Sequence, residues 1–306
     1  MVTVLRRPNA ALAPFVELLW YVDEPMPHGF ERRVPTGGMH IVVNLAEDEL
    51  RWYDGDRLER RHSTGGAGLS GPIDRPIGID TAEQCRSVGI AFRPGGATPF
   101  LGPPAVALAA PLIGLDELWG RSGAVVREQI LHAPTPAATL DTLERCVLEQ
   151  AVHPLTTDPA LRAAVTALEQ GWPVGRVADH TGTTPVTLGR MFRRLLGLSP
   201  KPYARLRRVQ RVLTSVTGPA AEDGPPLDWA TIAGKHGYYD QAHLINEFRE
   251  LTGTTPTAYH PRSHLERNHL PLGPEPDGPR RDDRLVDAWP AEDAMRHQPP
   301  RPRGRN

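Results

Sequence analysis

Of 306 residues 39% are apolar, enough for packed cores over a length that suits two domains, yet no run reaches the roughly eighteen apolar residues of a membrane-spanning helix. Two cysteines are too few for a disulfide framework or a zinc site, and the N-terminus MVTVLRRPNAALAPF lacks the apolar stretch of a secretory signal, so a soluble, cytoplasmic chain is expected. The near-neutral total hides a polarity: residues 1–150 hold 14 arginines against 19 acids, net −5, whereas residues 171–262 hold 12 Lys+Arg against 7 acids, net +5, which suits the second part to a polyanion.

Residues 1–152 read as a β-rich domain. FVELLWYV (Phe15–Val22), MHIVVNL (Met39–Leu45) and SVGIAF (Ser87–Phe92) are short β-branched or aromatic runs, separated by the turn chemistry of PTGG, YDGD and RPGG. Short strands with Gly-rich connections favour a small sandwich or barrel. GGAGLSG (Gly65–Gly71) reads as a flexible turn. The spacing then becomes helical over Leu115–Trp119, Val125–Leu131 and Leu140–Val152, with Pro134 and Pro136 as breaks. HPLTTDP, residues 153–159, reads as a linker in which Asp158 caps and Pro159 opens a helix over Ala160–Gln170. Residues 160–262 read as all helix. Residues 263–306, with 8 arginines and 8 acids among many Pro and Gly, read as a disordered tail. The predicted fold class is α+β: a β-rich sandwich or barrel-like domain with helices, then an all-α domain.

A repeat runs through the helical part. FRRLLGLSPKPY (Phe192–Tyr203) returns as FRELTGTTPTAY (Phe248–Tyr259) 56 residues later, and VADHTG (Val177–Gly182) returns as IAGKHG (Ile232–Gly237) at an offset of 55. In each copy a small Ala allows a close helix crossing, and a Gly four residues on ends the first helix with positive φ. Thr184 or Asp240 then caps a second helix, whose Leu188 and Phe192, or Leu244 and Phe248, share one buried face. This pattern predicts two helix-turn-helix units. Between them Tyr203, Leu206, Val209, Leu213 and Val216 mark an amphipathic helix of some 17 residues, about 26 Å long, that can hold two recognition helices about one DNA turn apart. Thr217–Trp229 reads as an acidic surface loop. A solenoid would need more copies at a fixed period.

GYYDQAHLINEFRELTGTTPTAY (Gly237–Tyr259) resembles the signature in the second helix-turn-helix of the AraC family of bacterial transcriptional regulators. Val177–Arg208 resembles the first, and the likeness covers residues 160–261. VPTGGMHIVVNL and VGIAFRPGGATPFLGPPAVAL resemble, more loosely, the β-rich N-terminal domain of such regulators. The resemblance implies a nucleoid-associated transcription factor that binds double-stranded promoter DNA through both recognition helices, with RNA polymerase as a partner. It implies base-facing positions at Val186, Gly189 and Arg190, with Arg193 facing the backbone or groove wall, and at Gln241, Ala242, Ile245 and Asn246, with Arg249 the counterpart of Arg193. Arg190 suits a guanine edge, Gln241 or Asn246 an adenine and Ile245 a thymine methyl. Arg205, Arg207 and Arg208 are assigned to phosphates.

Other chemistry is sparse. His28, His40 and His62 are scattered without a His-x-His pair, and Cys85 and Cys146 lack companions and read as buried packing thiols. No Gly-rich phosphate loop or Gly-x-Ser-x-Gly elbow occurs, so no catalytic residue, metal or cofactor is expected. In the front domain Trp20, Tyr21, His40, Trp52, Tyr53 and Arg93 are polar-aromatic candidates for a small-molecule effector, and the helices of 115–152 are candidates for homodimer contacts; the sequence leaves these two roles open. The rival reading is an enzyme or small-ligand carrier whose helical half binds proteins.

Overall fold

The computed structural model describes residues 2–54, 60–217, 227–263 and 266–272. Ten strands come from the first 114 residues: β1 (Val2–Arg6), β2 (Val16–Asp23), β3 (Phe30–Arg33), β4 (His40–Asn44), β5 (Leu50–Asp54), β6 (Arg60–Thr64), β7 (Ala67–Ser70), β8 (Ile77–Asp80), β9 (Arg86–Phe92) and β10 (Leu112–Gly114). An eleventh, β11 (His269–Leu272), arrives from the far end of the chain. They form two sheets, ordered β1-β2-β9-β4-β7-β10 and β11-β3-β8-β5-β6, with antiparallel neighbours. Alternation along the strands decides which face is dry. Leu19, Ile41, Val43, Val88, Ile90 and Phe92 bury on one side of the larger sheet. The helices α1 (Leu115–Trp119), α2 (Arg121–Ala124), α3 (Val126–Leu131) and α4 (Pro136–Glu149) follow, and Leu115, Val126, Ile130, Leu140, Leu143 and Val147 join the same core.

Two segments differ from their sequence-based expectation. GGAGLSG is no flexible turn: Ala67–Ser70 is a fully buried strand between β4 and β10. Its Gly68 permits close approach, since a Cβ there would lie 3.2 Å from both Leu50 and the Ile113 carbonyl. Pro136 lies between the two helical stretches as expected, but as the first residue of α4, which starts four residues ahead of Leu140. Thr135 accepts from the Ala138 amide, and proline costs nothing in a first turn whose N–H groups have no helical partner.

The second half is helical: α5 (Pro159–Glu169), α6 (Val174–His180), α7 (Pro185–Leu196), α8 (Pro200–Thr217), α9 (Trp229–Lys235) and α10 (Gln241–Thr252). Asp158 accepts from the Leu161 amide at the start of α5, as its sequence context implied. The repeated segment has a packing cause. Phe192 meets Tyr203 edge-on at 5.7 Å, and Phe248 meets Tyr259 edge-on at 5.4 Å, so each copy uses its Phe–Tyr pair to pin a recognition helix to the segment beyond its glycine cap. Tyr203, Leu206, Val209 and Leu213 of α8 are buried in the one core that both units share.

The chain after residue 262 departs from the expected disorder. β11 pairs with β3 from His269↔Arg33 to Leu272↔Phe30, and Leu270 is buried in the helical core. Beneath it Glu31, only 2% exposed, accepts from Arg262 at 2.9 Å and Gln84 at 3.0 Å and lies 3.0 Å from His269. Burial pushes this carboxyl up, but the His269, Arg262 and Gln84 contacts outweigh it and hold it down at about 2. Composition averaged over 44 residues masks this short apolar segment. The remainder of the expected tail, 273–306, and residues 218–226 of the acidic loop lie outside the described residues.

The β-rich part also touches the ends of both recognition helices. Arg32 donates to the Gly253 carbonyl, the C-cap of α10, at 2.7 Å. Gly197, the C-cap of α7, sits so close to the front domain that a Cβ would lie 2.2 Å from Pro72. Gln210 of α8 donates to the Pro35 carbonyl at 3.1 Å and to Asn268 at 2.7 Å.

Candidate nucleic-acid interface

In the first unit Gly182, at φ 62°, turns the chain from α6 to α7. The Thr184 hydroxyl accepts from the Thr187 amide at 3.1 Å, and Pro185 takes the first turn. With Leu188, Phe192, Leu195 and Leu196 buried, the outer face of α7 presents Val186, 63% exposed, and the exposed Arg190, Arg193 and Arg194. Gly189 is not presented: it is buried, and a Cβ there would meet the Arg193 guanidinium at 3.6 Å. Helical side chains lean toward the N-terminus, so the residue at i+4 covers a glycine that has nothing of its own to project.

The second unit repeats the construction. Gly237 turns at φ 74°, and Asp240 accepts from the His243 amide at 2.7 Å to start α10. Leu244, Phe248 and Leu251 bury; Gln241, Ala242, Asn246 and Arg249 are exposed, while Ile245 is half-buried against the helical core. Four exposed residues beside these faces were absent from the sequence reading: Arg194, Lys201, Lys235 and Tyr239, the last 93% exposed. The arginine run of FRRLL already marked Arg194, whereas Lys201, Lys235 and Tyr239 lie just outside the two recognition helices.

Residues 177–262 match the family model of a helix-turn-helix domain. They form a helix-turn-helix domain of the AraC type. Residues 6–112 match a second model, described as a domain of unknown function, DUF6597. Solved structures of ToxT from Vibrio cholerae align over most of the chain. An apo form is 11% identical with a TM-score of 0.42, covering 85% of this chain and 97% of that one; the form bound to an unsaturated fatty acid is 11% identical at 0.40, covering 84% and 94%. The bifunctional protein FolD 1 of Frankia casuarinae is 27% identical over 151 residues, 49% of this chain, and the chain spans about half the length of this curated relative, 51%.

Inside the helix-turn-helix domain the α8 arginines assigned to phosphates are engaged by carboxylates of the same domain. Arg205 binds Glu247 at 2.9 Å and Glu250 at 2.5 Å; Arg208 binds Glu247 at 2.7 Å and lies 4.4 Å from the Tyr238 ring centre; Arg207 binds Glu169 at 3.0 Å. Arg211 donates to the Glu169 carbonyl at 2.9 Å. These side chains tie α10 and α5 to α8. Glu247 is 4% exposed; burial pushes its carboxyl up, and the Arg208 and Arg205 hydrogen bonds overcome that and hold it below the ordinary range. The sequence assigned three arginines to DNA because their acidic partners lie about forty residues away along the chain. The structure makes them braces.

In the β-rich part the six effector candidates do not converge. Trp20 and His40 meet edge-on at 6.3 Å, and the His40 Nδ1 atom lies 2.9 Å from Arg33. Burial, with Arg33 and His269 adding to it, pushes His40 down to about 3. Tyr21, the next residue of β2, packs instead on the first core. Trp52 stacks on His62 at 5.3 Å and Tyr53 meets Phe30 at 5.2 Å, both in the smaller sheet. Arg93 is exposed and donates to the Ala13 carbonyl at 3.1 Å, so the arginine beside His40 is Arg33. Cys146 is buried with its Sγ 3.1 Å from Gln129, whereas Cys85 is only half-buried, 3.5 Å from the Thr81 carbonyl. Among the described residues no group of three or more His, Cys, Asp or Glu is placed to hold a metal ion, and no helix is long and apolar enough to cross a membrane. The open face of α4 is charged, with Arg145 paired to Glu149 at 3.0 Å and Asp141 bound to Arg6.

Proposed function

We propose that the protein is a sequence-specific transcriptional regulator that lays two recognition helices into successive major grooves of promoter DNA. One observation carries the reading: α7 and α10 share cap, turn and buried face, leave their outer faces open, and both pack on one 18-residue helix, α7 through Phe192 on Tyr203 and α10 through Glu247 bound by Arg205 and Arg208. That helix is about 27 Å long at 1.5 Å per residue, of the same order as the ~34 Å of one DNA turn, and ties the two units into one body. Val186, Arg190, Gln241, Ala242, Ile245 and Asn246 line the base-facing side in this reading. Arg193, Arg194, Lys201, Lys235 and Arg249 take most of the phosphate contacts, since Arg205, Arg207 and Arg208 are already engaged by carboxylates. The β-rich domain then controls how the pair is presented, through a small-molecule effector or a second copy, and RNA polymerase is the downstream partner in the cytoplasm.

Fluorescence anisotropy with labelled random duplex DNA tests this directly. The reading expects binding that weakens steeply between about 50 and 200 mM salt, as counterion release requires. No binding at the lower salt contradicts it.

A further inference from the structure

The two heads agree in shape and differ in charge. α7 carries Arg190, Arg193 and Arg194 with no acid, its cap Thr184 is neutral, and Lys201 stands exposed just beyond it. Among the described residues none of these four cations is paired with a carboxylate. α10 carries Arg249 alone against Glu247 and Glu250, its cap is the acidic Asp240, and the exposed Lys235 ahead of it brings this head to two open cations against four. The two glutamates are bound by Arg205 and Arg208, so neither attracts nor strongly repels a phosphate. What the second head leaves open to solvent is mostly uncharged: Tyr239, Gln241, Ala242, His243 and Asn246.

Phosphate contacts by cations add affinity without regard to sequence, whereas amide and apolar groups distinguish base edges. Resting on the reading above, we propose a division of labour between the heads. The first anchors the duplex through phosphates held by Arg193, Arg194 and Lys201, and the second supplies the discrimination between sequences through Gln241 and Asn246. The first helix has little else to read with, since Gly189 is covered and Val186 is short, which leaves Arg190 as its one long base-facing side chain.

The test uses the full chain and two fluorescein-labelled probes: a pool of random duplexes about 30 base pairs long, and duplexes that the wild-type protein enriches from that pool. Arg193→Gln and Arg194→Gln are each expected to lower the log–log salt slope by about 0.9 and to weaken both probes by the same factor. Arg193→Lys restores the slope, which a loss of fold would not allow. Gln241→Ala and Asn246→Ala are expected to leave the slope and the random-pool affinity unchanged while cutting the preference for enriched duplexes roughly ten-fold. An unchanged slope in the first-head variants, or a lowered one in the second-head variants, overturns the division, as does loss of preference from the first head alone. A wild-type protein that binds neither probe refutes the DNA-binding reading itself, a result distinct from binding with the roles reversed or shared.

Discussion

Burying a carboxylate such as Glu247 is tolerable only while both of its guanidinium partners stay in place. Arg208→Ala removes one and leaves the charge underground, so unfolding in urea is expected to show a loss of about 3 kcal/mol, while replacing Arg208 and Glu247 together by methionine recovers most of it. Duplex binding should then fall only in proportion to the unfolded fraction, because the Nε and Nη2 atoms of Arg208 are given over to Glu247. Glu31 carries a pH signature. Its carboxyl sits at about 2 in the folded chain, below an unfolded value of about 4.3, so its contribution is complete above the latter and is lost as pH falls toward the former. Hydrogen exchange of the His269–Leu272 amides should accelerate through that window, and Glu31→Gln should flatten the dependence.

At the scale of elements, the two units stand on glycines whose roles differ. A Cβ added at Gly182, at φ 62°, would have no atom within 4 Å, whereas one at Gly197, at φ 77°, would lie 2.2 Å from Pro72 and 3.0 Å from the Ala105 carbonyl. Gly182→Ala is therefore expected to cost about 1 kcal/mol from backbone strain alone, and Gly197→Ala distinctly more, with both measured by urea unfolding. The caps and turns of these units were legible in the sequence because the Thr184, Asp240 and Asp158 hydrogen bonds close within three residues. β3 (FERR) and β11 (HLPL) were not. Each is four residues long; β3 is held between β8, some fifty residues on, and β11, and β11 owes its conformation to β3, more than two hundred residues away. A shorter separation, about forty residues, was still enough to hide the α8 braces: an arginine facing Glu247 and one facing a phosphate look alike until the fold closes.

For the whole molecule, the connection between the β-rich and helical halves matters less than the contacts around it. Leu155 is 43% exposed in a segment without regular structure, so chymotrypsin is expected to cut there. The fragments should nevertheless co-elute in size-exclusion chromatography, because β11 pairs with β3, Arg32 holds the C-cap of α10 and Gln210 reaches Pro35. Separation of the fragments would mean that these contacts are too weak to hold the halves together. The measurement closest to the central claim is hydroxyl-radical footprinting of an enriched duplex bound to the full chain. Two protected windows, about 10 base pairs apart on one face, are the result this geometry demands. A single window, or two whose spacing places them on opposite faces, would contradict it.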